Sequence, residues 1–165
     1  MEILSREAAM RKLQRMAYEI AETNPDEHEI VLAGIKENGV ILAHILMEFL
    51  KPVFKGEIKM IEVDINKKHP QQAQLHCGVE SVSFDDKVII IVDDVANSGK
   101  TLSYALKPFL NYYPSKIQTL VLVERSHKRF PVTPDFKGLS IATALSEKIV
   151  VDTRDGEITG AHLEA

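Results

Sequence analysis

Apolar positions along the chain switch repeatedly between a helical and a strand-like period. Within residues 5–23, Ala9, Leu13, Met16, Ala17 and Ile20 recur every three or four positions, which predicts one amphipathic helix with Ser5 as its N-cap. EIVLAGI (29–35) is a short apolar run and predicts a buried strand. After Gly39, VILAHILMEFL predicts a mostly buried helix that Pro52 terminates. IKMIEVDI (58–65) alternates as a strand does, whereas residues 66–83 (NKKHPQQAQLHCGVESVS) are polar and aperiodic and predict a long loop. A loop of that length inside a compact domain points to function or mobility. KVIIIV (87–92) is the most hydrophobic strand candidate, TLSYALKPFLNYY (101–113) the helix after it, and KIQTLVLV (116–123) a further buried strand. The tail holds the strand candidate KIVVD (148–152) and a turn at Asp155-Gly156.

This order of strands and helices predicts an α/β fold with a mainly parallel central sheet and flanking helices. A chain of 165 residues with 45% hydrophobic and 27% charged positions fits one domain, residues 1–165, with a core of its own. The formal net charge of −4 argues against non-specific nucleic-acid binding as the main task. Cys77 is the single cysteine, which excludes an intrachain disulfide and fits a reducing compartment. MEILSREAAM is charged throughout and lacks a signal-peptide core, and no apolar run reaches membrane-spanning length. The expectation is a cytoplasmic protein with no membrane partner.

The chemistry concentrates in VIIIVDDVANSGKTL (88–102), an apolar strand, two acids and a short polar loop. Ligands of open α/β sheets gather at the carboxyl ends of strands, where these polar residues fall. Ser98, Gly99, Lys100 and Thr101 precede a predicted helix, so their backbone amides and hydroxyls suit a phosphate. Asp93 and Asp94 repel phosphate but can accept hydrogen bonds from neighbouring hydroxyls. A ligand carrying both a phosphate and a vicinal diol is a sugar phosphate. The nucleotide-triphosphate loop that Gly-Lys-Thr suggests is excluded, because it needs glycine five positions before Gly99 and Asp94 stands there.

VIIIVDDVANSGKT resembles the phosphoribosyl-pyrophosphate (PRPP) motif of type I phosphoribosyltransferases. Over most of the chain the likeness extends to the uracil phosphoribosyltransferases that also act as pyrimidine-operon RNA attenuators. RKLQRMAYEIAETN resembles that group's first helix, VLAGIKENG its pyrophosphate loop, and LVLVERSHKRFPVTPDFKG its Asp-Arg-Gly-His-Arg-Glu-Leu-Pro stretch. The resemblance implies a central sheet with a small hood, at about residues 124–147, and a flexible loop at about 66–83 that closes over the site. It implies that Asp93 and Asp94 bind the ribose hydroxyls and that the PRPP site runs through Val95, Ala96, Asn97, Ser98, Gly99, Lys100 and Thr101. Asn97 joins the two acids as a catalytic candidate. Lys36, Glu37, Asn38 and Gly39 would face pyrophosphate with Mg²⁺ bridging its oxygens, the protein ligands of the metal being unassigned, and Glu124 or Arg125 would contact the base. The implied partners are PRPP and a nucleobase, in at least a homodimer, with RNA allowed but disfavoured by the acidic balance.

Departures from the family pattern bear on substrate and activity. Glu37 and Asn38 stand where the attenuator group has Thr and Arg, which removes a cation and adds an anion beside pyrophosphate. Purine-salvage members carry Asp where Asn97 stands and Lys where Glu124 stands, so a 6-oxopurine is disfavoured and uracil or another pyrimidine is favoured by elimination. His69, His76 and Cys77 match no strong zinc spacing and read as loop residues. RSHKR (125–129) is either a base contact or a solvated charge run, and Arg6, Arg11, Lys12 and Arg15 read as a solvated helix face rather than an RNA surface. Tyr104, Phe109, Tyr112 and Tyr113 are candidates for packing or an interface. Three functions remain open: an active phosphoribosyltransferase, which is favoured, a PRPP- or nucleotide-binding regulator with little catalysis, and a sugar-phosphate-binding domain of unrelated chemistry.

Overall fold

Three runs of branched apolar residues form the middle of a six-stranded sheet in the computed structural model, which describes residues 1–66, 68–76, 83–144 and 146–165. They are β2 (Glu29–Ile35), β5 (Val88–Ala96) and β6 (Lys116–Arg125). Each is buried nearly end to end, because helices cover both faces of a parallel sheet and leave no solvent side for polar alternation. β3 (Glu57–Asp64), β4 (Gln74–His76) and β7 (Phe136–Ile141) complete the order β4-β3-β2-β5-β6-β7. Every pairing is parallel except β3 with β4.

The helices divide the core into two layers. α1 (Arg6–Thr23) and α2 (Asn38–Leu50) pack Leu13, Met16, Ile20, Leu42, Leu46 and Leu50 against Ile30, Leu32, Ile90 and Val92. On the other face, Leu102 and Ala105 of α3 (Lys100–Ala105) meet Val31, Ala33, Ile89 and Ile91. Successive residues of β2 and β5 thus feed opposite layers, as the two-residue period of a strand requires. Ser5 caps α1, its hydroxyl accepting from the Ala8 amide at 3.1 Å.

A second sheet, ordered β1-β9-β8, joins the chain ends: β1 (Glu2–Ser5), β8 (Lys148–Arg154) and β9 (Glu157–Glu164). Asp155 and Gly156, at φ 52° and 76°, form the two-residue turn of the β8–β9 hairpin. Leu4, Ile149, Val151, Ile158 and Ala161 enter the same core layer as α1 and α2, so this small sheet is seated on the larger body.

Several boundaries differ from the sequence expectation. β5 does not stop at Val92 but runs through the acid pair to Ala96, because β6 extends beside it and continues the ladder. The helix predicted over 101–113 ends at Ala105 and gives way to a 3₁₀ turn at Lys107–Asn111, where Pro108 supplies no amide for an α-helical bond. The polar stretch 66–83 is not all loop, since residues 74–76 pair with β3 and Pro70–Gln72 form a 3₁₀ turn. Within the expected flexible loop, Lys67, Cys77 and residues 78–82 lie outside the described residues. Within the expected hood span, about 124–147, Glu124 and Arg125 finish β6 and Phe136–Ile141 form β7 of the main sheet. The separate small sheet comes from residues 2–5 and 148–164.

Candidate functional site

Strand order creates the site. β3 and β5 lie on opposite sides of β2, so the chain leaving β2 and the chain leaving β5 diverge at their carboxyl ends and open a crevice. A cavity of about 740 Å³ fills it, within the range of small-molecule sites. Its lining includes Lys36, Glu37 and Asn38 after β2, Asp64 at the end of β3, and Asp93 through Leu102 of β5 and α3. Lys148 through Val151 of β8 form the remaining wall.

Two glycines permit this close assembly. A Cβ on Gly39 would lie 2.4 Å from the Val92 carbonyl oxygen and 3.2 Å from the Asp93 Cα, both backbone atoms that cannot move aside cheaply. The absent side chain lets the start of α2 press against the end of β5. Gly99, at φ 84°, turns the chain from β5 into α3 in a conformation other residues rarely adopt.

The acids are held by nearby donors. Asp93 is only 8% exposed, and its Oδ1 accepts from the Asp94 amide at 2.8 Å. Asp94 Oδ1 accepts from the Val95 amide at 2.8 Å, and its Oδ2 from the Asn38 side-chain amide at 2.8 Å. In the adjoining loop, the Ser98 carbonyl accepts from the amides of Arg129 and Phe130 at 2.9 and 3.0 Å, and its hydroxyl from the Lys100 amide at 3.2 Å. Asn97 pairs reciprocally with the Ile149 backbone, donating to its carbonyl at 3.4 Å and accepting from its amide at 3.3 Å. That pair ties the loop between β5 and α3 to the small sheet.

Charge in the crevice is mixed. Lys36 Nζ lies 3.4 Å from Glu62 and 4.0 Å from Asp64, and the peptide between Lys36 and Glu37 is cis. His76 also approaches Asp64, at 3.4 Å, and Lys100 and Lys148 add two further cations to the lining. Among the described residues no group of three or more His, Cys, Asp or Glu is arranged to hold a metal ion. Two carboxylates suit a hard cation that takes its remaining ligands from phosphate and water.

Most residues singled out from the sequence therefore share one cavity: Lys36, Glu37, Asn38 and the run Asp93–Thr101. Three do not line it. Gly39 lies behind the wall against β5. Glu124 is buried at 2% exposure and paired with Lys128 at 2.7 Å and Lys137 at 2.9 Å. Arg125 donates to the Glu147 carbonyl. Sequence reasoning missed Asp64 and the wall Lys148–Val151. Asp64 carried one available signal, an acid at the carboxyl end of a parallel strand. The proposed helix-face cations are partly engaged: Arg6 with Glu157, and Arg15 with Glu19 and the carbonyls of Lys137 and Gly138.

Comparison with known proteins agrees with this geometry. Residues 1–156 match the family described as phosphoribosyl transferase domain. The chain is 35% identical over 156 residues to proteins named bifunctional protein PyrR from Streptococcus pneumoniae strains CGSP14 and G54, an alignment spanning 92% of this chain and 88% of each relative. A hypoxanthine-guanine phosphoribosyltransferase from Bacillus anthracis superposes with a TM-score of 0.75 at 19% identity, over 98% of this chain and 96% of that one. A hypoxanthine phosphoribosyltransferase from Trypanosoma cruzi gives 0.75 at 16% identity, over 98% and 94%. At those identities the two structures establish the fold. With a family match over nearly the whole length and an acid pair and glycine turn meeting in one crevice, this chain belongs to the phosphoribosyl transferase domain family.

Proposed function

We propose that this protein transfers the 5-phosphoribosyl group of PRPP to a nucleobase, with uracil or another pyrimidine favoured, and releases pyrophosphate. The observation that carries the reading is that Asp93 and Asp94 share a cavity with the Ser98–Thr101 turn, so a diol and a phosphate of one ligand can be held together. Asp93 and Asp94 accept from the ribose hydroxyls. The loop from Ser98 to Thr101 takes the 5-phosphate, with Lys100 adding charge. Lys36 and Glu37 lie on the side toward which pyrophosphate departs, and the Asn38 side chain is turned to Asp94. A ring nitrogen of the base bonds to C1 of the ribose as the bond from C1 to pyrophosphate breaks. The pyrophosphate keeps that electron pair, and the base N–H proton passes to solvent.

Positive charge develops on the sugar in such a displacement, as in other glycosyl transfers. Fixed carboxylates beneath the ribose favour that charge without reorganising. Mg²⁺, when bound, neutralises charge on the pyrophosphate oxygens, and the carboxylates of Asp93 and Asp94 are donors suited to it. Residues 66–83 are assigned to closure over the site. Glu124 and Arg125, off the cavity wall, act on the base side through the segment they hold. A cytoplasmic location and assembly into at least a dimer belong to the same reading, and exposed Leu110 and Tyr113 offer apolar surface for it.

A second reading, a PRPP-binding regulator with little turnover, is favoured by Lys36, whose ammonium faces Glu62 and Asp64. Pyrophosphate release from PRPP with Mg²⁺, measured separately with uracil, orotate, hypoxanthine, guanine and adenine, separates the two. Release with uracil alone is the expected result. Silence with all five bases alongside calorimetric PRPP binding would establish the regulator, and absence of PRPP binding would overturn both.

A further inference from the structure

We propose that Asn38 is a positioning residue for Asp94: its side-chain amide fixes the carboxylate that receives the ribose hydroxyls and does not serve the leaving pyrophosphate. This role rests on the ribose reading above. Asn38 opens α2, and Gly39 beside it lets that helix end sit against Val92 and Asp93. The contact brings Asn38 Nδ2 to 2.8 Å from Asp94 Oδ2. Asp94 Oδ1 is held at 2.8 Å by the Val95 amide, so two donors on different elements grip the two oxygens of one carboxylate. Rotation of the carboxylate breaks one of the two bonds. Each oxygen has a second lone pair, so the grip leaves acceptors for two hydroxyls.

The neutrality of the donor matters. A lysine or arginine in this place would form an ion pair with Asp94 and offset the negative charge that favours a positive sugar. An amide orients the carboxylate and leaves its charge in place. The same geometry removes Asn38 from the loop's anion-facing groups, because its amide is directed across the crevice to β5.

Two probes divide the possibilities. Ribose 5-phosphate carries the diol and the phosphate without pyrophosphate, and inorganic pyrophosphate carries the reverse. Calorimetry with each, in Mg²⁺, is run on wild type, Asn38→Ala, Asn38→Asp, Asp94→Asn and Asn38→Ala/Asp94→Asn, with thermal melts to confirm folding. Asn38→Ala is expected to weaken ribose 5-phosphate about tenfold, the worth of one hydrogen bond to a charged group, and to leave pyrophosphate within about twofold. Asn38→Asp, which sets a second carboxylate against Asp94, weakens ribose 5-phosphate further. In the Asp94→Asn background the Asn38→Ala change has little added effect. If Asn38→Ala binds ribose 5-phosphate as wild type does, or loses pyrophosphate as strongly, the role is overturned while the ribose reading stands on Asp94→Asn. If wild type itself takes pyrophosphate but not ribose 5-phosphate, the ribose reading falls and this role with it.

Discussion

Asp94 and Gly39 are distant in the chain yet act at the same point, where α2 meets β5. Asp94→Asn keeps the shape of the side chain and removes its charge. Under the ribose assignment, PRPP affinity falls about ten- to a hundredfold, since hydrogen bonds to a charged group are worth about 1.5–3 kcal/mol. Calorimetry of PRPP binding checks this, and unchanged affinity with an unchanged melt would sink the assignment. Gly39→Ala tests the scaffold behind it. Its Cβ meets the Val92 carbonyl oxygen at 2.4 Å, so backbone must shift, at about 1–3 kcal/mol for overpacking. The expected result is a lower melting temperature together with weaker PRPP binding, because the shift reaches Asp93. Gly156→Ala is the contrast. Its neighbourhood is open, its φ of 76° makes alanine strained there, and it lowers stability without touching PRPP affinity.

Among the elements, β6 connects buried charge to the loop between β5 and α3. Glu124 near its end holds Lys128 and Lys137, and the chain just beyond Lys128 donates the two amides that fix the Ser98 carbonyl. Burial pushes the Glu124 carboxyl up, but hydrogen bonds from Lys128, Lys137 and Ser140 outweigh it and leave the group below the ordinary carboxylate range. A lowered acid contributes stability above its unfolded pKa and loses it as pH falls through the folded value. Glu124→Gln is therefore expected to cost about 3 kcal/mol near neutrality by taking the counter-charge from the nearly buried Lys128. Its denaturant-derived stability should also fall less on acidification than that of wild type, and parallel pH profiles for the two proteins would refute the pairing. Sequence pattern was informative about the central strands for the same reason that they are central. β2, β5 and β6 are buried on both faces and read as unbroken apolar runs. β7 and β9 carry Gly138 and Gly160 amid mixed polarity, positions set by backbone approach to Leu122 and Leu4, which no local pattern records. β1 and β4 have only four and three residues, too few for a period to appear.

At the scale of the whole molecule, the site is legible where a chain segment carries its own motif. Asp93 to Thr101 is one segment with its own chemical logic and Lys36 to Asn38 is read through the family resemblance, whereas Lys148–Val151 reaches the cavity through topology alone and Asp64 through its place at the end of a parallel strand. The wall from Lys148 to Val151 depends on the small sheet, which binds the first residues of the chain to the last. On that sheet His162 Nδ1 meets Asp152 at 2.8 Å and Nε2 meets Glu164 at 3.1 Å, with Glu2 of β1 and Val150 of β8 as its cross-strand partners. The hydrogen bond to Asp152, then that to Glu164, raises His162 above its ordinary value of 6.5. A group raised on folding contributes fully below its unfolded pKa and loses that contribution as pH rises through the folded value. The stabilising charge is thus complete below about pH 6.5 and fades toward alkaline pH. Replacement by glutamine, His162→Gln, keeps a polar side chain and abolishes the titration. Melting temperatures of the two proteins should differ most near pH 6 and converge near pH 9, with faster amide exchange in residues 148–164 of the variant at the lower pH. A gap that is the same at both values would mean that His162 acts by shape rather than charge. Because Ile149 in the same hairpin is held by Asn97, the loosening of the sheet in His162→Gln at the lower pH is expected to reach the Ser98–Thr101 turn through that pair.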